Sequence, residues 1–234
     1  MPTRPPEPVK PPKKRERSSV ETKKRILEAA QAEFAAKGFD GARLGSIARA
    51  AEVQQALIHH YFGDKEGLHA EVVRAGLAAM TEGAWGLLSQ METEPSSPGK
   101  PKKRALRKPS ELVSLAEAFV DLLLRFFADN GAFLAILRHE ARRDAGTVSK
   151  LVAEVVGPIF QAIVDRLEEM RVRGEVRKDL SPPHLVLSCV AMVAFPFQEE
   201  PLVAAIWPKP LRSSAFRAEQ KKHVVEMVLA RLLP

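Results

Sequence analysis

The stretch LGSIARAAEVQQALIHHYF, residues 44–62, decides how this chain folds. It contains two segments of eight residues with apolar side chains at helical spacing, separated by the tripeptide EVQ. Ile47 gives the first segment a buried side, and Ile58 and Phe62 give one to the second. Val53, the apolar residue of the tripeptide, can fill the angle between the segments. The pattern predicts two short helices folded around a tight turn, which is the size of a helix-turn-helix.

The outward side of the second predicted helix is polar and largely uncharged. Amide, imidazole and phenol groups can hydrogen-bond to phosphates and to the base edges in the major groove of DNA. We therefore predict that this helix reads DNA. The predicted contacts are to bases from Gln54, Gln55 and His59, and to phosphates from Arg43, His60, Tyr61 and Lys65.

Further helix signals flank this stretch. Ser18 begins the capping-box pattern S-x-x-E, which predicts a helix that opens at Ser18 and runs to about Lys37. Gly38 is suited to end this helix in a left-handed conformation. Asp64 can cap another helix beyond the second segment. Three helices of a small bundle, within residues 19–66, are thus expected to lead into a fourth.

Across residues 22–70 the chain resembles the tetracycline-repressor (TetR) family of bacterial transcription regulators. Order and spacing match without a gap in these elements: RILEAA at 25–30, Phe34, Gly38-Phe39, Ile47-Ala48, Ala51, Val53 and IHHYFGDKEGL at 58–68. The resemblance implies an all-helical homodimer with an N-terminal DNA-binding domain and a larger C-terminal domain for ligand binding and dimerisation. It also implies a ligand-responsive regulator, a repressor that binds a palindromic operator in double-stranded DNA and is released by a small-molecule effector.

The chain departs from the family pattern at positions that bear on DNA reading. Glu52 stands where the family usually has Gly, and a left-handed backbone there would cost about 1 kcal/mol. Gln54 stands where a Ser or Thr usually caps the reading helix, and it is a poorer cap by roughly 1 kcal/mol. Ala42 and His59 replace a common Thr and a common Tyr. These departures motivate an alternative hypothesis, a helical interaction protein on the same fold with weak or lost DNA reading.

The net charge of +7 comes from two segments rather than from the predicted reading helices. Residues 1–18 and residues 91–109 each carry six basic and two acidic side chains, and the rest of the chain is close to neutral. Their proline content and charge predict a disordered basic N-terminal arm (1–18) and a flexible basic loop (91–109). A solvated tail is the default interpretation of the arm. The alternative is an arm that follows DNA phosphates or enters the minor groove.

From residue 110 onward, apolar residues recur at helical spacing and no segment alternates as a strand would. We therefore predict an all-α fold, with a helix-turn-helix domain over 19–66 and a ligand-binding and dimerisation domain over 67–234. Helices at 181–197 and 214–233 have apolar faces suited to packing against a second copy of the chain.

The other helices of this domain could enclose a mainly apolar effector. The candidate pocket residues are Met80, Trp85, Phe119, Leu123, Phe126, Phe133, Leu137, His139, Phe160 and Ile163. Arg138, His139 or Glu140 could serve as a polar anchor. Since aromatic residues and methionines at helical spacing usually belong to the core, we expect most of these residues to be core.

The sequence contains no motif for catalysis, and we expect no enzyme activity, cofactor or metal. It has no His-x-x-x-His pair for zinc, and the adjacent His59 and His60 would point about 100° apart on a helix. The single Cys189 excludes an intramolecular disulfide. The apolar run 185–197 is shorter than the stretch of about 18 residues that a membrane span needs. We therefore expect a cytoplasmic protein with no membrane partner.

Overall fold

The computed structural model describes residues 14–92, 109–143 and 145–233. Within these ranges the chain forms eleven α-helices and no strand, which confirms the predicted all-α fold. In chain order they are α1 (Lys14–Gly41), α2 (Leu44–Ala50), α3 (Gln55–Phe62), α4 (Lys65–Glu92), α5 (Pro109–Asp129), α6 (Gly131–Arg143), α7 (Ala145–Val155), α8 (Gly157–Arg173), α9 (Pro182–Gln198), α10 (Glu200–Ile206) and α11 (Ser214–Leu232). The chain divides into two compact units, Met1–Val72 and Val73–Pro234.

The first helix begins earlier than the sequence predicts. It opens at Lys14, so the prediction of a start at Ser18 is wrong, and residues 14–18 of the predicted disordered arm are helical. The physical reason is that Lys, Arg and Glu at these positions are good helix formers and the last proline before them is Pro12. Residues 1–13 of the predicted arm and residues 93–108 of the predicted basic loop lie outside the described residues.

Gly38 makes the backbone leave the helical conformation near the end of α1. Its φ of 67° is positive, as predicted, but its ψ of 179° lies outside the left-handed helical region, where the sequence had placed it. Essentially only glycine adopts this combination of angles. The kink brings Phe39 back onto the N-terminal core, where its ring stacks on Phe34 with the centroids 6.2 Å apart.

The N-terminal unit has a small core to which each of its helices contributes. The side chains with no exposed surface are Ile26, Ala30 and Phe34 of α1, Ile47 of α2, Ile58 of α3 and Leu68 of α4. His69 is buried beside them, with its ring edge-on to Phe34 at 4.8 Å and to Phe39 at 5.1 Å. Because this one core is shared, packing holds α2 and α3 in fixed positions.

The C-terminal unit is built around α5, which packs against α9 and α11 and buries eight of its residues. A second apolar cluster contains Leu112, Met170, Val176, Leu180 and Leu232. Gly174 ends α8 with a φ of 77°, the left-handed conformation that commonly follows a helix.

The junction between α9 and α10 bends sharply. Pro196 inside α9 and Pro201 at the start of α10 lack the N–H donor of a regular helix and lie on either side of the bend. Among the described residues no single helix is long and apolar enough to cross a membrane; α9 and α10 pass that test only together, with an angle of 81° between them.

Two glycines of α4 test the packing of the C-terminal unit. A Cβ at Gly76 would clash with the ring of Phe133, which is 1% exposed, whereas a Cβ at Gly86 would meet no atom within 4 Å. We expect Gly76→Ala to lower the free energy of unfolding by about 1–3 kcal/mol, because overpacking outweighs the gain in helix propensity. Its control, Gly86→Ala, should raise that free energy by about 0.5–1 kcal/mol. Urea unfolding measures both, and equal stabilisation by the two variants would contradict the packing of Phe133 on α4.

Candidate functional site

The helix-turn-helix consists of α2, α3 and the residues 51–54 between them. The Ala51 N–H donates to the Ile47 carbonyl at 2.9 Å, and the Val53 N–H donates to the Ala48 carbonyl at 3.0 Å. Ala51 is 3% exposed and Val53 is half-buried, so the turn is part of the core. These contacts fix the direction in which α3 leaves α2.

Glu52 lies in this turn with a φ of 54°, and it is the one non-glycine residue with a positive φ in the described part of the chain. The Cβ of a non-glycine residue is crowded in this conformation, at a cost of about 1 kcal/mol or more. The side chain itself is exposed, and its carboxylate lies 3.9 Å from the guanidinium of Arg25. The backbone at this position is therefore left-handed, and the cost expected for a non-glycine residue in such a conformation applies to Glu52.

Gln54 is the residue before α3, with an extended backbone and no side-chain hydrogen bond that caps the helix. This agrees with the prediction that it is a poor cap. The start of α2 is held differently from the family pattern, since the Arg43 N–H donates to the Glu33 carboxylate of α1 at 3.3 Å. A hydrogen bond from Lys37, helped by this N–H, lowers the pKa of the Glu33 carboxyl and keeps it ionised.

The candidate base-reading residues Gln55 and His59 contact each other on the exposed side of α3. The Gln55 amide nitrogen lies 3.4 Å from His59 Nε2, and His59 Nδ1 lies 2.8 Å from the Gly63 carbonyl oxygen. Because a carbonyl oxygen only accepts, Nδ1 carries the proton, and in the neutral ring Nε2 is an acceptor. The amide of Gln55 is then oriented with its nitrogen toward His59. We call these three residues the Gln55–His59–Gly63 chain.

The candidate phosphate-contacting residues differ in exposure and in the contacts that their side chains already make within the protein. Lys65 is half-buried; its ammonium donates to the Asp40 carbonyl at 3.3 Å and lies 4.7 Å from the centre of the Phe39 ring. Its charge is therefore already engaged within the N-terminal unit. Arg43 and His60 are exposed, and the His60 ring lies 5.1 Å from that of Tyr61.

Lys23 of α1 is a basic residue near this surface that the sequence did not single out. Its ammonium lies 5.2 Å from the centre of the Tyr61 ring, a cation–π distance. Nothing in the local pattern around Lys23 points to Tyr61, since the two residues are 38 positions apart and only the folded N-terminal unit brings them together.

The C-terminal unit contains a partly open cavity of about 120 Å³, lined by residues of α4, α5, α8, α9 and α11. Of the ten predicted pocket residues, Phe119 and Ile163 line it. The other eight do not line it: Leu123, Phe126 and Phe133 are buried core, Met80, Leu137 and Phe160 are half-buried, and Trp85 and His139 are exposed. The sequence missed Leu115, Leu167 and Cys189, because their helical spacing is the same as that of ordinary core residues.

Polar and titratable groups are scarce at this cavity. Burial raises the pKa of the Cys189 thiol to about 12, so the thiol is neutral at physiological pH. Arg166 also lines the cavity, and its Nη1 donates to the Glu169 carboxylate at 2.7 Å. Within the described ranges no group of three or more His, Cys, Asp or Glu side chains could hold a metal ion.

The fold and the helix-turn-helix of α2 and α3 define the class of protein: a helix-turn-helix protein with an all-helical C-terminal unit. A family model described as "Bacterial regulatory proteins, tetR family" matches residues 26–72, and another described as "Tetracyclin repressor-like, C-terminal domain" matches residues 113–228. The chain therefore belongs to the tetR family. Members of this family are DNA-binding regulators rather than enzymes.

Similar proteins agree with this assignment. The chain is 50% identical over 52 residues to an HTH-type transcriptional repressor of Streptomyces coelicolor; the match covers 22% of this chain and 27% of that protein. The structure is similar to a tetR-family transcriptional regulator from Mesorhizobium loti (TM-score 0.64, 19% identity, 92% and 98% of the two chains). It is also similar to the fatty acid degradation regulator FadR from Bacillus halodurans (TM-score 0.61, 16% identity, 88% and 97% of the two chains). At these identities the structural likeness shows the fold alone.

The backbone at Glu52 provides a test of the turn. We expect Glu52→Gly to raise the free energy of unfolding by about 1 kcal/mol, because glycine adopts a positive φ without steric cost. The control is Glu52→Ala, which removes the carboxylate but keeps the Cβ. Since the pair with Arg25 is exposed, this variant should stay within about 0.5 kcal/mol of the parent chain. Thermal and urea unfolding measure both variants. An equal rise in the free energy of unfolding would show that loss of the carboxylate, and not relief of backbone strain, stabilises the chain.

Proposed function

We propose that this chain is a transcriptional repressor of the cytoplasm that binds a palindromic DNA operator as a homodimer and is released by a small, mainly apolar effector. The observation that carries the proposal is the geometry of α3. Its inner side chain Ile58 has no exposed surface, while Gln54 just before the helix and Gln55 and His59 within it are exposed to solvent. A helix that is anchored in this way and presents uncharged donors and acceptors is suited to the major groove.

The Gln55–His59–Gly63 chain supports a specific mode of base reading. A glutamine side chain pairs bidentately with adenine, accepting from N6 and donating to N7. With one amide hydrogen of Gln55 directed at His59, the second hydrogen and the amide oxygen remain for a base. We infer that His59 acts by orienting Gln55 as well as by contacting the DNA itself.

Phosphate contacts in this proposal come from a few side chains around α3. Arg43 is exposed at the start of α2, and His60 and Tyr61 lie at the end of α3, with Lys23 beside Tyr61. Lys65 would have to leave the Asp40 carbonyl to reach a phosphate, so we assign it a weaker contribution. These contacts fix the register on DNA and carry no sequence information.

The exposed apolar side chains of the C-terminal unit support the homodimer. On α9, Leu187 is 57% exposed and Phe195 is 55% exposed, two turns further along the same side. Met227 of α11, at 51%, adds a third. The exposed Leu202 and Ile206 continue onto α10. Exposed apolar side chains on neighbouring helices are typical of a surface that another protein covers.

The regulatory step in this proposal is a shift between two conformations of the dimer. DNA binding needs the two reading helices about 34–36 Å apart, in successive major grooves. An effector that binds more tightly to a conformation with another spacing would release the DNA.

The alternative is a helical interaction protein on the same fold that reads DNA weakly or not at all. Two observations favour it: Glu52 strains the turn with a positive φ, and Gln54 provides no side-chain cap for α3. Both would make the reading helix less stable than in a chain with Gly and Ser at these positions.

Selection of bound sites from random DNA by the purified full-length chain tests the DNA-binding function. We expect a near-palindrome whose half-site centres lie about 10 base pairs, or a multiple, apart. Gln55→Ala should reduce discrimination at one base pair per half-site by about tenfold, whereas Arg43→Ala should weaken binding to all sequences alike. A chain that shows no salt-dependent preference for any palindrome would overturn the proposal. The gain of DNA binding by a Glu52→Gly, Gln54→Ser variant of such a chain would then establish the alternative.

Sedimentation equilibrium tests the homodimer. We expect the parent chain to be a dimer and Leu187→Asp or Phe195→Asp to shift it toward monomer by about a hundredfold or more in dissociation constant, because each buries a charge at the interface. The matched control is Val172→Asp on α8, whose side chain is 75% exposed and lies outside the proposed face. A monomeric parent chain, or equal dissociation of the control variant, would contradict the assignment of this face.

A further inference from the structure

The cavity of the C-terminal unit has a size that limits what it can hold. Its lining combines small side chains, Ala84 of α4 and Ala116 of α5, with large ones such as Phe119 and Ile163. The volume of about 120 Å³ is close to that of an apolar protein cavity of about 150 Å³ that takes up benzene. The cavity is partly open, and its interior has space for one six-membered ring or a short alkyl chain.

The lining of the cavity is almost entirely apolar. Of the sixteen described residues that line it, fifteen are Ala, Val, Leu, Ile, Met, Phe or Cys, and Arg166 is the charged one. The Arg166 side chain is 13% exposed, and its Nη1 donates to Glu169 at 2.7 Å. The same Glu169 carboxylate lies 3.9 Å from Arg173, and Arg173 Nε donates to the Glu175 carboxylate at 2.8 Å, so these two arginines face two acids. Because the charge of Arg166 is already matched by an acid, the cavity offers an anionic ligand no surplus positive charge.

Cys189 shows how this environment acts on a titratable group. Its side chain lines the cavity, and burial raises the pKa of the thiol to about 12. The surroundings that hold the thiol in its neutral form also penalise a carboxylate or any other ion placed beside it.

We propose that this cavity is the effector site and that it binds a neutral apolar molecule of the size of one benzene ring or a short alkyl chain. A ring of this kind would replace an unfilled volume with van der Waals contacts to several helices and would need no hydrogen-bond partner. The inference rests on the proposed function for one point alone, that occupation of the cavity releases DNA.

Toluene and benzoate are matched probes of this site, since they share one ring and differ by the exchange of a methyl group for a carboxylate. With the full-length chain, we expect toluene to raise the thermal unfolding midpoint and to bind in calorimetry. Benzoate should bind about a hundredfold more weakly or worse, because its charge would have to be buried without a free partner. Equal or tighter binding of benzoate would overturn the proposal, as would the absence of binding by toluene.

Substitutions that fill the cavity test whether toluene binds there. Ala116→Leu should fill the cavity and weaken toluene binding by about tenfold or more, and Ala84→Leu should do the same from α4. The matched control is Ala132→Leu on the exposed side of α6, which should leave toluene binding unchanged. Arg166→Met should also retain toluene binding, because a neutral ligand does not need the guanidinium. Undiminished binding by both filled variants, or loss of binding in the Arg166 variant, would overturn the assignment.

A separate DNA-binding measurement distinguishes this inference from the proposed function. With the operator obtained by site selection, toluene should release DNA from the parent chain and from Ala132→Leu but not from Ala116→Leu. If toluene binds in the cavity and the DNA stays bound, the ligand site stands and its role as the effector site fails. If the chain binds toluene but selects no DNA at all, the proposed function fails and the neutral, apolar character of the cavity stands.

Discussion

The left-handed backbone at Glu52 is the constraint on which the reading surface depends. With φ at 54°, the chain reverses between α2 and α3 while the Val53 N–H still reaches the Ala48 carbonyl at 3.0 Å. The strain of about 1 kcal/mol is smaller than the roughly 1.5–3 kcal/mol gained by burying one isoleucine. Since Ile47 and Ile58 both have no exposed surface, packing outweighs the strain and the turn tolerates a residue other than glycine.

Two basic side chains of the N-terminal unit are already engaged within the protein. Lys65 lies against the Asp40 carbonyl and the Phe39 ring, and Arg25 lies near the Glu52 carboxylate. These two side chains therefore add little to affinity from counterion release, which grows with the number of phosphates neutralised. Hydrogen bonds to bases are the kind of contact that the uncharged side of α3 offers instead.

Local patterns in the sequence predict the helices and the turn, but not the full set of residues that line the cavity. The positive φ at Glu52 follows from its place in the helix-turn-helix, and the contact between Gln55 and His59 follows from their spacing of four residues. The start of α1 at Lys14 does not follow from the capping pattern at Ser18, because good helix formers extend the helix beyond that pattern. The sequence predicts an apolar pocket in this domain but only two residues of the cavity lining, because periodicity tells which side of a helix is buried, but not whether neighbouring helices leave a gap there.

One helix, α9, connects the two proposed sites of the C-terminal unit. Cys189 faces the cavity, whereas Leu187 and Phe195 are exposed on the other side of α9. A ligand in the cavity would therefore contact the helix that forms the proposed dimer face. To move an equilibrium from 1:99 to 99:1, ligand must favour one state by about 5.5 kcal/mol. A dimer would contain two such cavities, so each small ligand would need to supply only about half of that difference, an amount within reach of a single buried ring.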